Sequence, residues 1–222
     1  MKLDNKRTVL VGLAFLSICA FWQMYDNIIP LILTNTFHLN ETISGAIMAA
    51  DNVLALFLLP FFGALSDRTN TKIGRRMPFI LCGTVCAVVL MNLLPVFDNG
   101  YAATGETGKL VLFVVTLGLL LVAMGTYRSP AVALMPDVTP KPLRSRANAI
   151  INLMGAVGGI LYLITASVLY PNSKTAGLVH VNYRPLFIVV SVLMAVSVAI
   201  LYFTTNEPRL AAAEKEYEAA HP

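Results

Sequence analysis

The chain has 222 residues, of which 57% are hydrophobic and only 13% charged, with a formal net charge of +4. A soluble domain carries roughly 25% charged residues, so this composition excludes a water-facing surface and points to an integral membrane protein. The basic residues sit at the ends of apolar segments, so the positive charge reads as topology and not as a nucleic-acid surface.

Six continuous apolar runs are expected to span as helices, at approximately 8–33, 43–65, 78–97, 109–136, 147–170 and 185–204. Each is near or above the ~20 residues that cross ~30 Å of hydrocarbon. None alternates, which excludes a barrel. The first run follows Lys2, Lys6 and Arg7. It is too long for a signal-peptide core, and no small-residue cleavage site follows it. It carries Trp22, Gln23, Tyr25, Asp26 and Asn27. The second carries Asp51 and Asn52, and the fourth carries Tyr127 and Arg128. An ionisable group at mid-membrane costs at least ~2.5–3.5 kcal/mol, so such residues face a cavity or a partner.

The second run ends in a basic turn at 63–76, with Gly63, Asp67, Arg68, Gly74, Arg75 and Arg76, and Pro78 opens the third. Anchoring by positive charge explains Arg68, Lys72, Arg75 and Arg76 but neither Asp67 nor the glycines. The fourth run ends in Ala133–Val138, which includes Asp137. Arg144 and Arg146 precede the fifth, which carries Asn148, Asn152 and a small-residue stretch at 154–159 suited to close helix contact. The segments 34–42, 98–108 and 171–184 read as plain turns. The first of them holds the sequon Asn40-Glu41-Thr42. The tail 205–222 reads as a solvated cytoplasmic helix or linker.

Twelve Lys and Arg lie at one set of helix ends against three, Lys109, Lys174 and Arg184, at the other. The richer set, which runs from Lys2 to Lys215, is expected in the cytoplasm together with both termini. Cys19, Cys82 and Cys86 lie inside apolar runs and His38, His180 and His221 stand apart, so neither a disulfide framework, a metal site nor a cofactor is expected. The stretch 105–110 imitates a phosphate-binding loop, but Ala103 and Leu110 replace residues that such a loop needs.

The turn at 63–76 resembles the loop between the second and third helices of major facilitator transporters. Its long spacing before Gly74-Arg75-Arg76, followed by Pro78-Phe79-Ile80, is similar to that of the sucrose-type and glycoside–pentoside–hexuronide sugar–cation symporters. So are Ala133-Leu134-Met135-Pro136-Asp137-Val138 and Arg144-Ser145-Arg146-Ala147-Asn148-Ala149. The resemblance covers essentially the whole chain and implies an all-α integral membrane fold, the N-terminal six-helix half of a twelve-helix transporter. Its implied partners are the bilayer of the cell membrane, a sugar, a coupling cation and a second six-helix half.

In that frame Asp51 or Asp26 would take up the coupling proton. Arg128, or Asn148 with Asn152, would hydrogen-bond sugar hydroxyls, within a wider set of Trp22, Gln23, Asn27, Asn52 and Tyr127. Trp22 serves equally as a sugar-stacking platform or as packing, and a permanent Asp51–Arg128 ion pair is the structural alternative. Gly63, Asp67, Arg68, Gly74, Arg75, Arg76, Asp137 and Arg144 would form the cytoplasmic gate, with Asp67 reaching the other half. Ala55 and Leu59 stand where melibiose-type members carry cation-binding carboxylates, which favours a proton over sodium.

Six helices supply one wall of such a cavity, so the chain reads as a fragment or truncation, with 206–222 as the start of a central loop, or as a half that pairs. A non-transporting scaffold or sensor is the alternative. Tyr25-Asp26 is similar to the Tyr-Asp of intramembrane aspartyl proteases, but their Gly-x-Gly-Asp is missing, as is any His-Glu-x-x-His, so an enzyme is not expected.

Overall fold

Hydrocarbon offers no hydrogen-bond partner, so each apolar run closes its own backbone as a helix. The computed structural model describes residues 4–220, which leaves Lys2 and His221 outside the described residues. The long helices are α1 (Asn5–Leu31, continued by a π-helical turn at Ile32–Thr36), α2 (Glu41–Arg68), α3 (Met77–Thr104), α4 (Thr107–Asp137) and α5 (Arg144–Leu169). A short α6 (Asn172–Thr175), α7 (Arg184–Thr204) and α8 (Glu207–Ala220) follow. All of these except α6 and α8 are long and apolar enough to cross a membrane.

Local signals place the ends. The Asp4 carboxylate accepts the Arg7 N–H at 3.1 Å, and the Asn40 side chain accepts the Ile43 N–H at 2.8 Å, each satisfying a free donor of a first turn. Gly105 stops α3 in a left-handed conformation, φ 67°. α3 therefore runs seven residues beyond the expected boundary at 97. The helix continues through Asp98 and Asn99, with Asp98 fully buried.

α1 is the central post. It packs on α5 and α7, and touches α4, while α3 packs on α4 and α7. α2 leans mainly on α4 and exposes Val53, Leu56, Phe57 and Phe61. The small-residue stretch of α5 forms the α1–α5 contact. At Gly158 the backbones come so close that a Cβ would run into the Leu16 carbonyl, and Gly155 rests on the Cys19 Sγ. Polar pairs add direction: Asn92 of α3 donates to the Ser191 Oγ of α7 at 2.6 Å.

The tail is partly solvated, with Pro208, Arg209, Ala212, Ala213 and Glu216 exposed as its composition suggested, but two of its glutamates are not. α8 folds back, burying Glu207 and Glu214. The Glu207 carboxylate accepts the backbone N–H groups of Arg75, Arg76 and Met77, each at 2.9 Å. Those are free donors at the start of α3, where the helix dipole also favours negative charge. Gly74, at φ +119°, makes room, since a Cβ there would collide with that carboxylate. A polar tail thus docks because one acidic residue supplies what a helix N-terminus lacks.

Two substitutions test these contacts in the detergent-solubilised chain, with thermal unfolding as the readout. Gly158→Val should overpack the α1–α5 seam and cost about 1–3 kcal/mol. Glu207→Ala should strand three buried donors and cost about 1–3 kcal/mol or more, with Glu207→Gln losing less. An unshifted melt for Gly158→Val would mean that α1 and α5 are not in close contact.

Candidate functional site

Polar residues at mid-span gather where α1, α2 and α4 meet. Trp22, Asp51, Ala55, Gly125 and Arg128 line one cleft. The Arg128 guanidinium lies over the Trp22 ring, 5.4 Å from its centroid, a cation–π arrangement. Trp22 in turn meets the rings of Phe21 and Tyr25 edge-on, both at 5.3 Å. Gly125 lets the Leu58 side chain of α2 close on α4, which forms part of the cleft wall.

Two donors of α1, one on the cleft wall at Trp22 and one behind it at Tyr25, are unspent. Trp22 Nε1 and the Tyr25 hydroxyl are buried and make no hydrogen bond. Native interiors pair nearly all such groups, so unpaired ones beside an arginine and a carboxylate mark a place suited to a polar guest. The Asp51 carboxylate accepts its neighbour Asn52's N–H at 2.5 Å. No ion pair joins Asp51 to Arg128 among the described residues; the guanidinium is turned to the Trp22 ring instead. Asp26 is exposed and within electrostatic reach of Asp51.

The other expected residues separate. Gln23 rests against Gly159 of α5, and its backbone carbonyl accepts from the Asn27 side chain at 2.6 Å. Asn52, Asn148 and Asn152 are exposed on their helices. Tyr127 is fully buried, with its hydroxyl 2.5 Å from the Ser17 Oγ and 3.1 Å from the Ala14 carbonyl. It ties α4 to α1 inside the bundle and does not open onto the cleft.

At the basic end, Arg76 is the hub. Its Nε donates to Asp137 Oδ2 at 2.8 Å, and its Nη1 donates to the Ser66 Oγ at 2.5 Å and the Gly63 carbonyl at 3.4 Å. Its Nη2 donates to Asp67. Arg75 adds an ion pair to Asp137 at 3.1 Å. Arg76 is only 4% exposed, so its charge depends on these partners. The planar fork of an arginine reaches four acceptors at once, which a lysine ammonium on its flexible stem does not match. The cluster joins the end of α2, the turn, the start of α3 and the end of α4.

Arg144 donates to the Thr139 carbonyl at 3.0 Å and approaches Glu214 of α8 at 3.4 Å. Arg7 donates to the Val138 carbonyl at 3.1 Å, which brings the start of α1 into the same end. Arg68 is exposed. Asp67, expected to reach another half, is engaged within this chain by Arg76 while its side chain remains 56% exposed. Glu207 and Ser66 complete the cluster and were not anticipated. Asn206, whose Oδ1 accepts the Arg209 N–H at 3.1 Å, and Pro208 mark a helix start, but no local signal says that Glu207 docks on α3.

The family model for the Major Facilitator Superfamily matches residues 11–221. The sucrose transport protein SUC3 of Arabidopsis thaliana is 31% identical over 140 residues, 57% of this chain and 23% of the relative. The sucrose transport protein SUT3 of Oryza sativa subsp. indica is 26% identical over 212 residues, 84% of this chain and 42% of the relative. The general alpha-glucoside permease of Schizosaccharomyces pombe is 27% identical over 187 residues, 80% of this chain and 33% of the relative. The chain thus spans less than half the length of these curated relatives. With six helices able to cross a bilayer and a family match over almost its full length, it is an integral, multi-pass membrane protein that belongs to the major facilitator superfamily.

Proposed function

We propose that this chain forms one six-helix wall of a secondary transporter that carries a sugar or glycoside by alternating access, coupled to a proton. The observation that carries the reading is the cleft at Trp22, Asp51 and Arg128, with two unspent donors, in a chain whose relatives are sucrose and alpha-glucoside carriers. An aromatic face packs on pyranose C–H groups, while Arg128, Trp22 Nε1 and the Tyr25 hydroxyl donate to sugar oxygens. Asp51 or Asp26 holds the proton, because a carboxylate at this depth is favoured only when neutralised or paired. Asn27, Asn52, Asn148, Asn152 and Gln23 lie on exposed faces of α1, α2 and α5 that meet substrate when a second six-helix unit closes the cavity. Tyr127 holds α1 to α4 behind that wall. The role is carriage rather than catalysis.

The basic end faces the cytoplasm with both termini, by the excess of Lys and Arg there. The ion pairs of Asp67, Arg75, Arg76 and Asp137 form a rigid gate plate, with Gly63, Gly74, Arg68 and Arg144 at its edges, against which the second unit opens and closes. Of the six spans, α2 exposes Phe57 and Phe61 for lipid or for that unit.

Trp22 is the single tryptophan of the chain and so reports on its own site. Sucrose and an alpha-glucoside should change its emission saturably in the purified protein, and sorbitol should not. Arg128→Ala should weaken the effect at least tenfold. Asp51→Asn or Asp26→Asn, whichever carries the proton, should abolish its pH dependence. Flat emission, with no radiolabelled sugar retained at millimolar concentration, would remove the sugar site from this chain.

A further inference from the structure

At the end of the bundle opposite the basic loops, one buried carboxylate lacks a charged hydrogen-bond partner. Asp98, in the last two turns of α3, is fully buried, and the Thr36 hydroxyl is the one uncharged donor near enough to lean on it among the described residues. An ionised carboxylate in that position is costly unless an opposite charge faces it. The one cation within ion-pair reach among the described residues is a protonated His180, whose Nε2 lies 3.8 Å from Asp98 Oδ2.

His180 belongs to the segment between α5 and α7 and grips the ends of two other helices. Its Nε2 is 2.8 Å from the Asn99 Oδ1, and its Nδ1 is 3.3 Å from the Thr36 Oγ1 at the end of α1. The Asn99 amide is oriented by its own bond to Asn182 Oδ1 at 3.0 Å, so its Oδ1 accepts and His180 Nε2 carries a hydrogen. The other ring nitrogen, Nδ1, faces the Thr36 hydroxyl. His180 also borders an open cleft of about 380 Å³ together with Thr36, His38 and Tyr183. The half-buried imidazole therefore stands between water and the sealed carboxylate.

The remaining titratable groups around the site are few. The Tyr183 phenol is pushed above its ordinary range by burial and, secondarily, by the charge of Asp98. Lys109 of α4 runs alongside Gly100, while His38 and Arg184 are exposed.

We propose that Asp98 and His180 bind one proton between them, and that this proton latches the 171–183 segment across the ends of α1 and α3. With the proton in place, an imidazolium faces the carboxylate. When it leaves, the carboxylate is stranded beside a neutral ring. Closing takes up a proton, so closure weakens as pH rises. None of these residues lines the Trp22 cleft, so the inference stands apart from the sugar reading.

A double-mutant cycle on the full chain in detergent, with thermal unfolding followed between pH 6 and 8.5, tests it. Wild type should lose stability with rising pH more steeply than Asp98→Asn, His180→Gln or the double variant. The coupling between the two positions should fall at least tenfold across that range. His38→Asn, which removes the other histidine of the cleft but leaves both members of the pair and Thr36 in place, should keep the wild-type slope. Parallel slopes, or a coupling that ignores pH, would overturn the proposal. Should Asp98→Asn fail to fold, the slope of His180→Gln against His38→Asn decides.

Discussion

Hydrocarbon solvates no polar group, and the placement of the buried polar side chains follows from that. The backbone satisfies itself as helix, and a side chain then has three options. It bonds within its own helix, as Thr84 does to the Ile80 carbonyl at 2.7 Å. It crosses to a neighbour, as Asn92 does to Ser191 and Tyr127 to Ser17. Or it stays without a partner inside the bundle, as Trp22 Nε1 and the Tyr25 hydroxyl do. The first two options build the bundle, and the third is what the proposed sugar site rests on.

The charged groups obey the same logic at the bundle's ends. At the basic end, Arg76 is buried but saturated, and Glu207 is buried but shared among three backbone donors. Removing one partner leaves the others uncompensated, so the cluster behaves as a single block. The proposed gate draws on that rigidity, since a plate that deforms cannot transmit the rocking of one unit against another. The opposite end is built differently. There Asp98 relies on one titratable neighbour across 3.8 Å.

Close approach of helices gives both ends their registry. Gly158 and Gly155 set α5 against α1, and Gly83 sets α3 against α4, where a Cβ would lie 2.8 Å from the Tyr127 nitrogen. Since lipid tails are as apolar as leucine, such contacts gain by dispersion and geometry and not by hydrophobic transfer. The outward face of α2 is left without equivalent contacts, which fits a helix whose partner is lipid or another bundle.

The membrane class, the number of spans and the basic turn were legible in the sequence, because each rests on local composition and period. The role of Gly155 and Gly158 was legible for the same reason, since small residues signal contact wherever they fall. Tertiary structure alone decided the pairings. Asp51 and Arg128 lie at matching depth along their helices, yet depth says nothing about rotation, and Arg128 turns to Trp22. Tyr127 neighbours Arg128 in sequence but points the other way, since successive residues on a helix lie about 100° apart. Glu207 sits in a polar tail that composition alone reads as solvated, and only the position of α3's free N–H groups makes it part of the core. Asp98 and His180, 82 positions apart, meet only because α3 and the segment before α7 end side by side.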